Sequence, residues 1–409
     1  MKTVPFALAG MAAALAIATP ILARDTARAT DLFQFGGASG YAPQGGVIAD
    51  RSGTVFGTTT LGGTGPCIAD AGCGTVYALS APAAGGGSWV FNKLYDFQGG
   101  QDGSFPRSQL TVAPNGTVYG YTADGSPGAV FRLTPPMIAG QPWAFKVLYV
   151  FTGKADGNLE AVFSPLIFRH GALYGVASGG ASTACGQFGC GSVFKLTPGS
   201  GGGAWTLRTV FRFAGGPESG EPNGIVGFNE PGPLYVSTSL GSGAVVEVSP
   251  PASPGEWTEQ VITRFDRDGG GHSPSNLVLA PDGSLFGLTN TRAGLVFHLT
   301  PPAAPGAPWT RAVIATVVDR GYGPASLAVG PAGSLIGAIQ GDFDFFAGAV
   351  FQLTPPAAGG SWTYAELFNF NRFQDRNPIN VVPGRRGNLF GVLGGGDSTN
   401  GSLFELTLP

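Results

Sequence analysis

Charged and histidine side chains recur in short glycine-rich segments of this sequence, and they are the residues best suited to chemistry. The segments share a charged residue close to glycine, and they are Gln101-Asp102-Gly103, Ala155-Asp156-Gly157, 218–221, 268–272, 319–322 and 372–376. A ring of carboxylates could hold a hard cation such as Ca²⁺ or accept hydrogen bonds from sugar hydroxyls. An Asp beside Gly also suits a tight turn, because its carboxylate accepts a hydrogen bond from the backbone two residues further on. No segment has the closely spaced oxygen ligands of a dedicated calcium loop, so the sequence favours turns, predicts no cofactor or metal, and leaves a weak Ca²⁺ site as the alternative.

The sequence contains three histidines, and one of them has a setting that permits catalysis. His272 follows Asp268 by four residues, and it could act as a general base if a carboxylate oriented its ring. His298 takes an outward position in a predicted strand and His170 falls in a predicted turn, so both are expected on the surface. A lone loop histidine is usually solvated, so catalysis by His272, with Asp268 and Arg320, is the weaker hypothesis.

Composition and motif content exclude several classes of function. The formal net charge is −3 and no basic run is present that could follow a phosphate backbone, which argues against nucleic acid as a partner. The sequence has no Gly-x-Ser-x-Gly, His-Glu-x-x-His or phosphate-binding loop motif, so serine hydrolases, zinc proteases and nucleotide-binding proteins lose their usual support. The 69 Gly and 33 Pro, beside 11% aromatic residues, indicate many short strands joined by tight turns.

The four cysteines form two close pairs in the sequence, Cys67 with Cys73 and Cys185 with Cys190. Each pair lies in a glycine-rich segment just before a predicted strand. In an oxidising compartment this arrangement predicts two small disulfides that hold equivalent loops. A zinc site is the alternative, but the two pairs belong to different repeats and have no histidine nearby.

The first 29 residues have the pattern of a secretory signal peptide. The basic residue Lys2 is followed by an apolar run from Val4 to Leu22 and by the small-residue site Ala27-Arg28-Ala29. The sequence therefore predicts cleavage after Ala29, a single domain over residues 30–409, and export to the periplasm or the medium. A transmembrane anchor is the alternative for this segment. No second long apolar run follows it, so no transmembrane segment is predicted in the mature chain.

Three sequence markers recur at an interval of roughly 53 residues, which is the signature of a repeat architecture. The first is tryptophan at the start of an alternating strand pattern, found six times, at Trp89, Trp143, Trp205, Trp257, Trp309 and Trp362. The second is Gly-x-(Leu/Val)-(Tyr/Phe), whose copies end at Phe56, Tyr119, Tyr174, Tyr235, Phe286 and Phe390, with Leu335-Ile336 as a seventh, variant copy. The third is Gly-x-Val-Phe-x-Leu-Thr-Pro, whose four full copies contain Val130, Val193, Val296 and Val350, with looser copies at Val76, Val245 and Leu403.

Seven such repeats predict an all-β, seven-bladed β-propeller with four strands in each blade. Each unit has an inner strand after a proline, a second strand, a third strand and an outer strand that begins at Trp. The turns Asn115-Gly116 and Asp282-Gly283 predict a hairpin between the first two strands. The segment 32–35 matches the end of an outer strand, so we expect it to complete the blade formed by residues 379–406. That pairing joins the two ends of the chain and removes an exposed strand edge.

The repeat also resembles that of a known family. The phrases Leu94-Tyr95-Asp96-Phe97, 99–103 and Gly348-Ala349-Val350-Phe351 resemble the units of the choice-of-anchor tandem-repeat proteins of the GloVer type. The resemblance extends over essentially the whole chain after residue 29, because the phrase recurs in every repeat. It implies an exported, surface-related repeat protein with no assigned activity or catalytic residues. No C-terminal anchor is recognisable in this sequence, so anchoring at the surface is left open.

The predicted strand order places the function on one face of the propeller. Connections from each outer strand to the next inner strand share that face with the loops between second and third strands, and loops on a rigid scaffold carry function. We therefore predict a non-enzymatic surface that binds a glycan, peptide or protein. Its candidate residues are Asp102, Asp268, His272, Arg320, Tyr322, Arg372 and Asp375. The regular spacing of the tryptophans predicts packing between blades rather than carbohydrate stacking.

Two other functions are compatible with the same pattern. One is an extracytoplasmic polysaccharide lyase or hydrolase, in which His272 or a rim acid is the base and Arg320 or Arg372 neutralises a uronate. Such an enzyme requires its base and its charge stabiliser to converge on one reacting atom. The other is a purely structural role at the cell surface, which predicts no concentrated polar pocket.

Overall fold

The structure is a computed structural model of the 409-residue chain. It describes residues 27–409 with the exception of 68–70, 83–86, 124–127, 139, 154–155, 160–161, 163, 181–183, 186–188, 217–219, 229–231, 254, 267–270, 290–293, 305, 318–320, 342–346, 358–359, 371–376 and 396–399. The described residues form seven four-stranded antiparallel sheets with a few single 3-10 turns. This is the seven-bladed β-propeller predicted from the repeats. Within the described ranges, no helix is long and apolar enough to span a membrane.

The first four blades each take four consecutive strands from the chain, which run in order from the inner to the outer strand. Blade 1 contains β2 (Val47–Ala49), β3 (Val55–Thr59), β4 (Thr75–Ser80) and β5 (Val90–Asp96). Blade 2 contains β6 (Thr111–Val112), β7 (Val118–Thr122), β8 (Ala129–Thr134) and β9 (Ala144–Val150). Blade 3 contains β10 (Ile167–Arg169), β11 (Ala172–Ala177), β12 (Ser192–Thr197) and β13 (Thr206–Arg212). Blade 4 contains β14 (Pro222–Val226), β15 (Leu234–Thr238), β16 (Ala244–Ser249) and β17 (Thr258–Arg264).

Blades 5 and 6 follow the same order, whereas blade 7 combines strands from both ends of the chain. Blade 5 contains β18 (Pro274–Leu279), β19 (Leu285–Thr289), β20 (Leu295–Thr300) and β21 (Thr310–Thr316). Blade 6 contains β22 (Gly321–Val329), β23 (Leu335–Gly341), β24 (Gly348–Thr354) and β25 (Thr363–Asn369). Blade 7 contains β26 (Pro378–Pro383), β27 (Leu389–Leu393), β28 (Ser402–Thr407) and, as its outer strand, β1 (Arg28–Gln34).

Burial differs between the middle and the outer strands of a blade. The second strands β3, β7 and β11 are buried at every position, whereas the outer strand β13 contains only exposed and half-buried residues. Each blade packs face to face between two neighbours, so both faces of its middle strands are removed from water and can be apolar. The core is therefore a ring of interfaces between blades around a central axis.

The six tryptophans pack between blades, as predicted. Each indole contacts the aromatic residue that ends the second marker of the preceding blade, with ring centroids 5.3–6.3 Å apart, in the pairs Trp89–Phe390, Trp143–Phe56, Trp205–Tyr119, Trp257–Tyr174, Trp309–Tyr235 and Trp362–Phe286. The seventh copy of the marker ends in Ile336, and there Ala27, Ala29 and Leu408 pack against the same cluster. Blade 7, whose outer strand has no tryptophan, thus follows blade 6, whose second marker ends in Ile336 instead of an aromatic residue.

β1 closes the ring, as predicted, by pairing antiparallel with β28 as the outer strand of blade 7. The strand begins at Arg28 rather than at the predicted Leu32, because β28 offers backbone partners as far as Thr407. Phe33 of β1 also stacks on Phe91 of blade 1, with ring centroids 3.9 Å apart. Closure therefore completes blade 7 and joins it to blade 1.

His298 differs from its prediction, since it is half-buried rather than exposed. Its ring stacks on Phe286 at a centroid distance of 4.4 Å and lies 6.3 Å from the Trp362 ring. Burial lowers the pKa of His298, and the nearby charge of Asp282 opposes this in part. The cause is the outer strand of the next blade, whose tryptophan covers this position. His170 lies in an exposed turn with a φ of +45°, as predicted.

Candidate ligand-binding site

The two faces of the propeller carry different connections. One face carries the connections from each outer strand to the next inner strand and the loops between second and third strands, and we call it the loop face. The opposite face carries the hairpins between first and second strands and the links into the outer strands. A central cavity of about 1150 Å³ lies between the inner strands and is lined by residues from all seven blades.

The cavity is polar at the loop face and apolar towards the opposite face. Each inner strand starts at the loop face, so residues at or just before its start lie at that end of the cavity. The polar residues at this end include Gln44, Arg107, Gln109, Ser164, Asn223, Ser275, Asn276 and Asn380. The residues at the other end are apolar and include Phe168, Val226, Phe228, Leu279, Val329 and Val382. Apolar walls with a few convergent polar groups are the usual form of a small-ligand site.

Several of these polar side chains already bind a neighbouring blade. The side-chain amide of Asn380 accepts a hydrogen bond from Val47 N at 2.8 Å and donates one to Val47 O at 2.9 Å. Gln109 Nε2 donates to the same carbonyl at 2.6 Å. Asn223 and Asn276 make corresponding bonds to the backbones of blades 5 and 6, at 3.1 Å and 3.0 Å. These amides therefore hold adjacent inner strands together.

Arg107 and Ser164 differ from the other polar residues of the cavity. Nε of Arg107 and Oγ of Ser164 are buried, and neither atom makes a hydrogen bond within the part of the chain that the structure describes. Arg107 is also the one charged residue among the described residues that line the cavity. A buried donor without a partner is costly, so both side chains keep unmet hydrogen-bonding capacity in the cavity wall.

A left-handed backbone position precedes the cavity wall in five blades. Ala42, Phe105, Glu221, Ser273 and Asn377 have φ between +51° and +66°, and each is followed by proline. This conformation is uncommon for residues other than glycine, and such strain concentrates at functional sites. The residue after each proline lies in the cavity wall, and these residues are Gln44, Arg107, Asn223, Ser275 and Ile379. This left-handed residue and its proline, which we call the kinked proline step, therefore set which side chain each of these five blades presents to the cavity.

The carboxylates of Asp102 and Asp156 accept hydrogen bonds from their own rim loops and from the outer strands that precede those loops. Asp102 accepts hydrogen bonds from the Tyr95 hydroxyl at 2.8 Å and from a backbone amide of its loop at 3.0 Å. Asp156, at the equivalent position of blade 2, accepts from the Tyr149 hydroxyl at 3.0 Å and from Thr152 N at 2.9 Å. Burial alone would raise the pKa of Asp156, but the hydrogen bonds from Thr152 and Tyr149 lower it. Burial and the bond to Asp156 in turn raise the pKa of Tyr149 to about 12.

Of the other predicted site residues, the structure places His272 and part of Tyr322. The imidazole Nδ1 of His272 lies 3.3 Å from Ser273 Oγ, and the ring is half-buried at the loop face. The backbone of Tyr322 belongs to β22, and its side chain lies outside the described part of the chain. Four residues lie wholly outside the described ranges: Asp268, Arg320, Arg372 and Asp375. Convergence of these residues on one reacting atom stays a prediction.

Two disulfides hold loops at the loop face, as predicted. Cys67 pairs with Cys73 and Cys185 pairs with Cys190, with Cα atoms 5.1 Å and 5.0 Å apart, in the loops between second and third strands of blades 1 and 3. Both loops contain a short parallel bridge between two glycines. Among the described residues, no group of three or more His, Cys, Asp and Glu side chains is placed to hold a metal ion.

Comparison with known proteins identifies the fold. No family model matches the chain, and a search of curated proteins finds no match. Among solved structures, a protein from Lactobacillus plantarum is 17% identical with a TM-score of 0.55, over 82% of this chain and 90% of that chain. A candidate 6-phosphogluconolactonase from Bacteroides uniformis is 15% identical with a TM-score of 0.52, over 79% and 83%. The extracellular domain of a candidate hybrid two-component system from B. thetaiotaomicron is 9% identical with a TM-score of 0.53, over 92% of this chain and 39% of that chain.

These identities show a shared fold alone, because one fold carries many unrelated functions.

Proposed function

We propose that the protein is an exported, non-enzymatic binding propeller that takes its ligand at the loop-face end of the central cavity. The observation that carries the proposal is the cavity of about 1150 Å³, whose polar end lies among the loops of that face. Pockets of roughly 300–1,000 Å³ hold small ligands in most proteins. A cavity of this size suits a small molecule or the end of a glycan or peptide.

The chemistry of the cavity wall favours binding over catalysis. Its described polar groups are the amides and hydroxyls of Asn, Gln and Ser together with Arg107, and no described carboxylate or histidine lines it. Acid–base catalysis requires a titratable group within hydrogen-bond reach of the proton it transfers. The hydrolase name of one structural neighbour adds no support, because its identity to this chain is 15%. Recognition by hydrogen bonds and shape remains the simplest use of the site.

Export is supported by two independent features of the chain. The first 29 residues have the basic start, apolar run and small-residue site of a signal peptide. The two disulfides, Cys67–Cys73 and Cys185–Cys190, are of the kind that forms and persists in oxidising compartments.

The test is a binding screen of residues 30–409 against glycan and peptide arrays and a small-molecule library read by thermal shift. We expect saturable binding without turnover. The variant Ser275→Trp, which places an indole in the polar end of the cavity, should abolish binding. The matched variant Ala303→Trp, exposed in a link on the opposite face, should leave binding unchanged. Binding that survives Ser275→Trp would place the ligand elsewhere, and turnover lost in that variant would overturn the non-enzymatic assignment.

A further inference from the structure

We propose that Arg107 forms an oxyanion subsite at the loop-face end of the central cavity, and that the ligand is a small organic acid with an apolar body. The acid group lies at Arg107, and the apolar part extends towards Phe168 and Phe228. This inference rests on the proposed function, because it uses the same cavity and names the chemical class of its ligand.

The charged side chain of Arg107 is not a feature of the repeat. The equivalent residue after the kinked proline step is Gln44, Asn223, Ser275 or Ile379 in four other blades. Those blades fold with a neutral side chain at the same backbone position, so the propeller does not need a guanidinium there. A guanidinium is always charged and presents donors in a planar fork that matches the two oxygens of a carboxylate.

The backbone around the subsite is held in place from neighbouring blades. The carbonyl of Pro106, directly before Arg107, accepts hydrogen bonds from the hydroxyls of Thr58 and Thr60, both at 3.4 Å. The carbonyl of Ser164 accepts a hydrogen bond from the hydroxyl of Tyr121 at 2.8 Å. The backbones that carry Arg107 and Ser164 are therefore fixed before a ligand arrives. A fixed backbone lowers the ordering cost of binding at Arg107.

The rest of the cavity wall determines what the body of the ligand can be. The amides of Asn380, Asn223 and Asn276 are committed to bonds between blades, so few polar groups at this end remain for a ligand. One positive charge beside them suits one acid group and not a polyanion. The opposite end offers aliphatic side chains and two phenylalanines, of which Phe228 has 43% of its surface exposed. An inner strand of six residues such as β18 spans about 20 Å at roughly 3.3 Å per residue, which leaves room for an apolar body.

The test uses three probes of equal chain length, octanoate, octyl phosphate and octan-1-ol, titrated calorimetrically into residues 30–409. We expect octanoate to bind saturably and at least about tenfold more tightly than octan-1-ol, because a charge-assisted bidentate pair is stronger than a neutral hydrogen bond. Octyl phosphate distinguishes a carboxylate site from a phosphate site, because the former should bind octanoate more tightly and the latter octyl phosphate more tightly. Arg107→Gln should weaken octanoate at least about tenfold and leave octan-1-ol unchanged. The control Arg51→Gln, exposed in a hairpin on the opposite face, should change neither.

Two further measurements test the acid subsite if Arg107→Gln folds poorly. Arg107→Lys retains the charge and loses the planar fork, so it should bind octanoate with intermediate affinity. In the wild-type protein, added NaCl should weaken octanoate and spare octan-1-ol, because salt screens a charge pair. Equal affinities for the acid and the alcohol, or no binding of any probe by folded protein, would overturn the acid subsite. A ligand from the screen that is blocked by Ser275→Trp but indifferent to Arg107 would leave the proposed function standing.

Discussion

A Cβ atom placed on Gly120 would lie 2.6 Å from Cζ of Phe131, the residue directly opposite it on the neighbouring strand. The same combination of glycine on the second strand and a large ring on the third occurs in five other blades, as Gly57–Tyr77, Gly175–Phe194, Gly287–Phe297, Gly337–Phe351 and Gly391–Phe404. In blade 4 both residues change together, and Val236 faces Val246. The ring therefore occupies the space that the missing side chain leaves above the backbone.

The first prediction is that Gly120→Ala destabilises the protein. Phe131 is fully buried, with 0% of its surface exposed, so its ring has no room to retreat from an added methyl group. Overpacking of this kind costs about 1–3 kcal/mol. The measurement is the free energy of unfolding in urea. The control is Gly255→Ala in an exposed loop, where the nearest atoms to a new Cβ lie at 3.6 Å, and it should change stability little.

A double variant tests whether the two positions are coupled. Gly120→Val with Phe131→Val copies the arrangement of blade 4, where Val236 faces Val246. The double variant should be less destabilised than the sum of its two single variants, because the added side chain fills the space that the ring vacates. Additive effects would show that the pairing in blade 4 is coincidental.

The repeat made the fold predictable, because two markers recur in all seven blades and a third, the tryptophan, recurs in six of them. Trp143 and its partner Phe56 illustrate why, since both large rings occur at fixed positions of the repeat and pack on each other across one interface. The glycine opposite Phe131 was visible in the sequence too, but its role depends on strand register, which spacing alone does not supply. The exposure of His298 was mispredicted because a tryptophan from the next blade covers it, and contacts between blades are not visible in strand alternation.

The polar end of the cavity was not predictable from residue types. The sequence shows that inner strands follow a proline, but Ala42 and Phe105 are not residues that favour a left-handed backbone. Arg107 therefore gave no signal by itself, whereas the acidic residues beside glycine did. The sequence suggested Asp102 as a ligand-binding group, but its carboxylate accepts a hydrogen bond from Tyr95 of the preceding outer strand, β5. Alignment of the seven proline steps would have singled out Arg107 as the one charged residue at that position.

The second prediction concerns the disulfides. Replacing Cys67 and Cys73 together with alanine should lower the free energy of unfolding by roughly 2 kcal/mol, as chain entropy predicts for a closed loop of this length. The sulfur also packs against the outer-to-inner connection of the blade, because a Cβ on Gly99 would lie 2.9 Å from Cys67 Sγ. The measurement is urea unfolding with and without a reducing agent. A double variant that matches the wild-type protein under both conditions would contradict the prediction.

The third prediction is a pH dependence carried by Asp156. Its hydrogen bonds outweigh burial and lower its pKa below the ordinary value of 3.8. The folded state therefore binds the proton less readily than the unfolded state, so this contribution is present above about pH 4 and is lost as the pH falls through the folded pKa. The stability difference between the wild-type protein and Asp156→Asn should shrink on acidification below that pH. Tyr149→Phe removes one of the bonds and should show a smaller effect of the same sign, and a difference that is constant with pH would exclude this linkage.

The fourth prediction is that β1 is required for a closed ring. A chain that starts at Gly36 lacks the strand, so it exposes the edge of β28 and loses the stacking of Phe33 on Phe91. Exposed strand edges recruit other chains. We expect this truncated protein to unfold at a lower temperature and to associate, as measured by thermal unfolding and by light scattering after size-exclusion chromatography.

The matched control starts at Thr30, the first residue after the predicted cleavage site. It loses the backbone pairs of Arg28 with Thr407 and Ala29 with Leu406 and the packing of Ala27 and Ala29, and it keeps the part of β1 that carries Phe33. It should therefore retain the size and nearly the stability of the chain that starts at residue 27. If the chain starting at Gly36 behaves like this control, the prediction is wrong: β1 pairs with blade 7 but is not needed to close the propeller, and the interfaces between blades hold the ring.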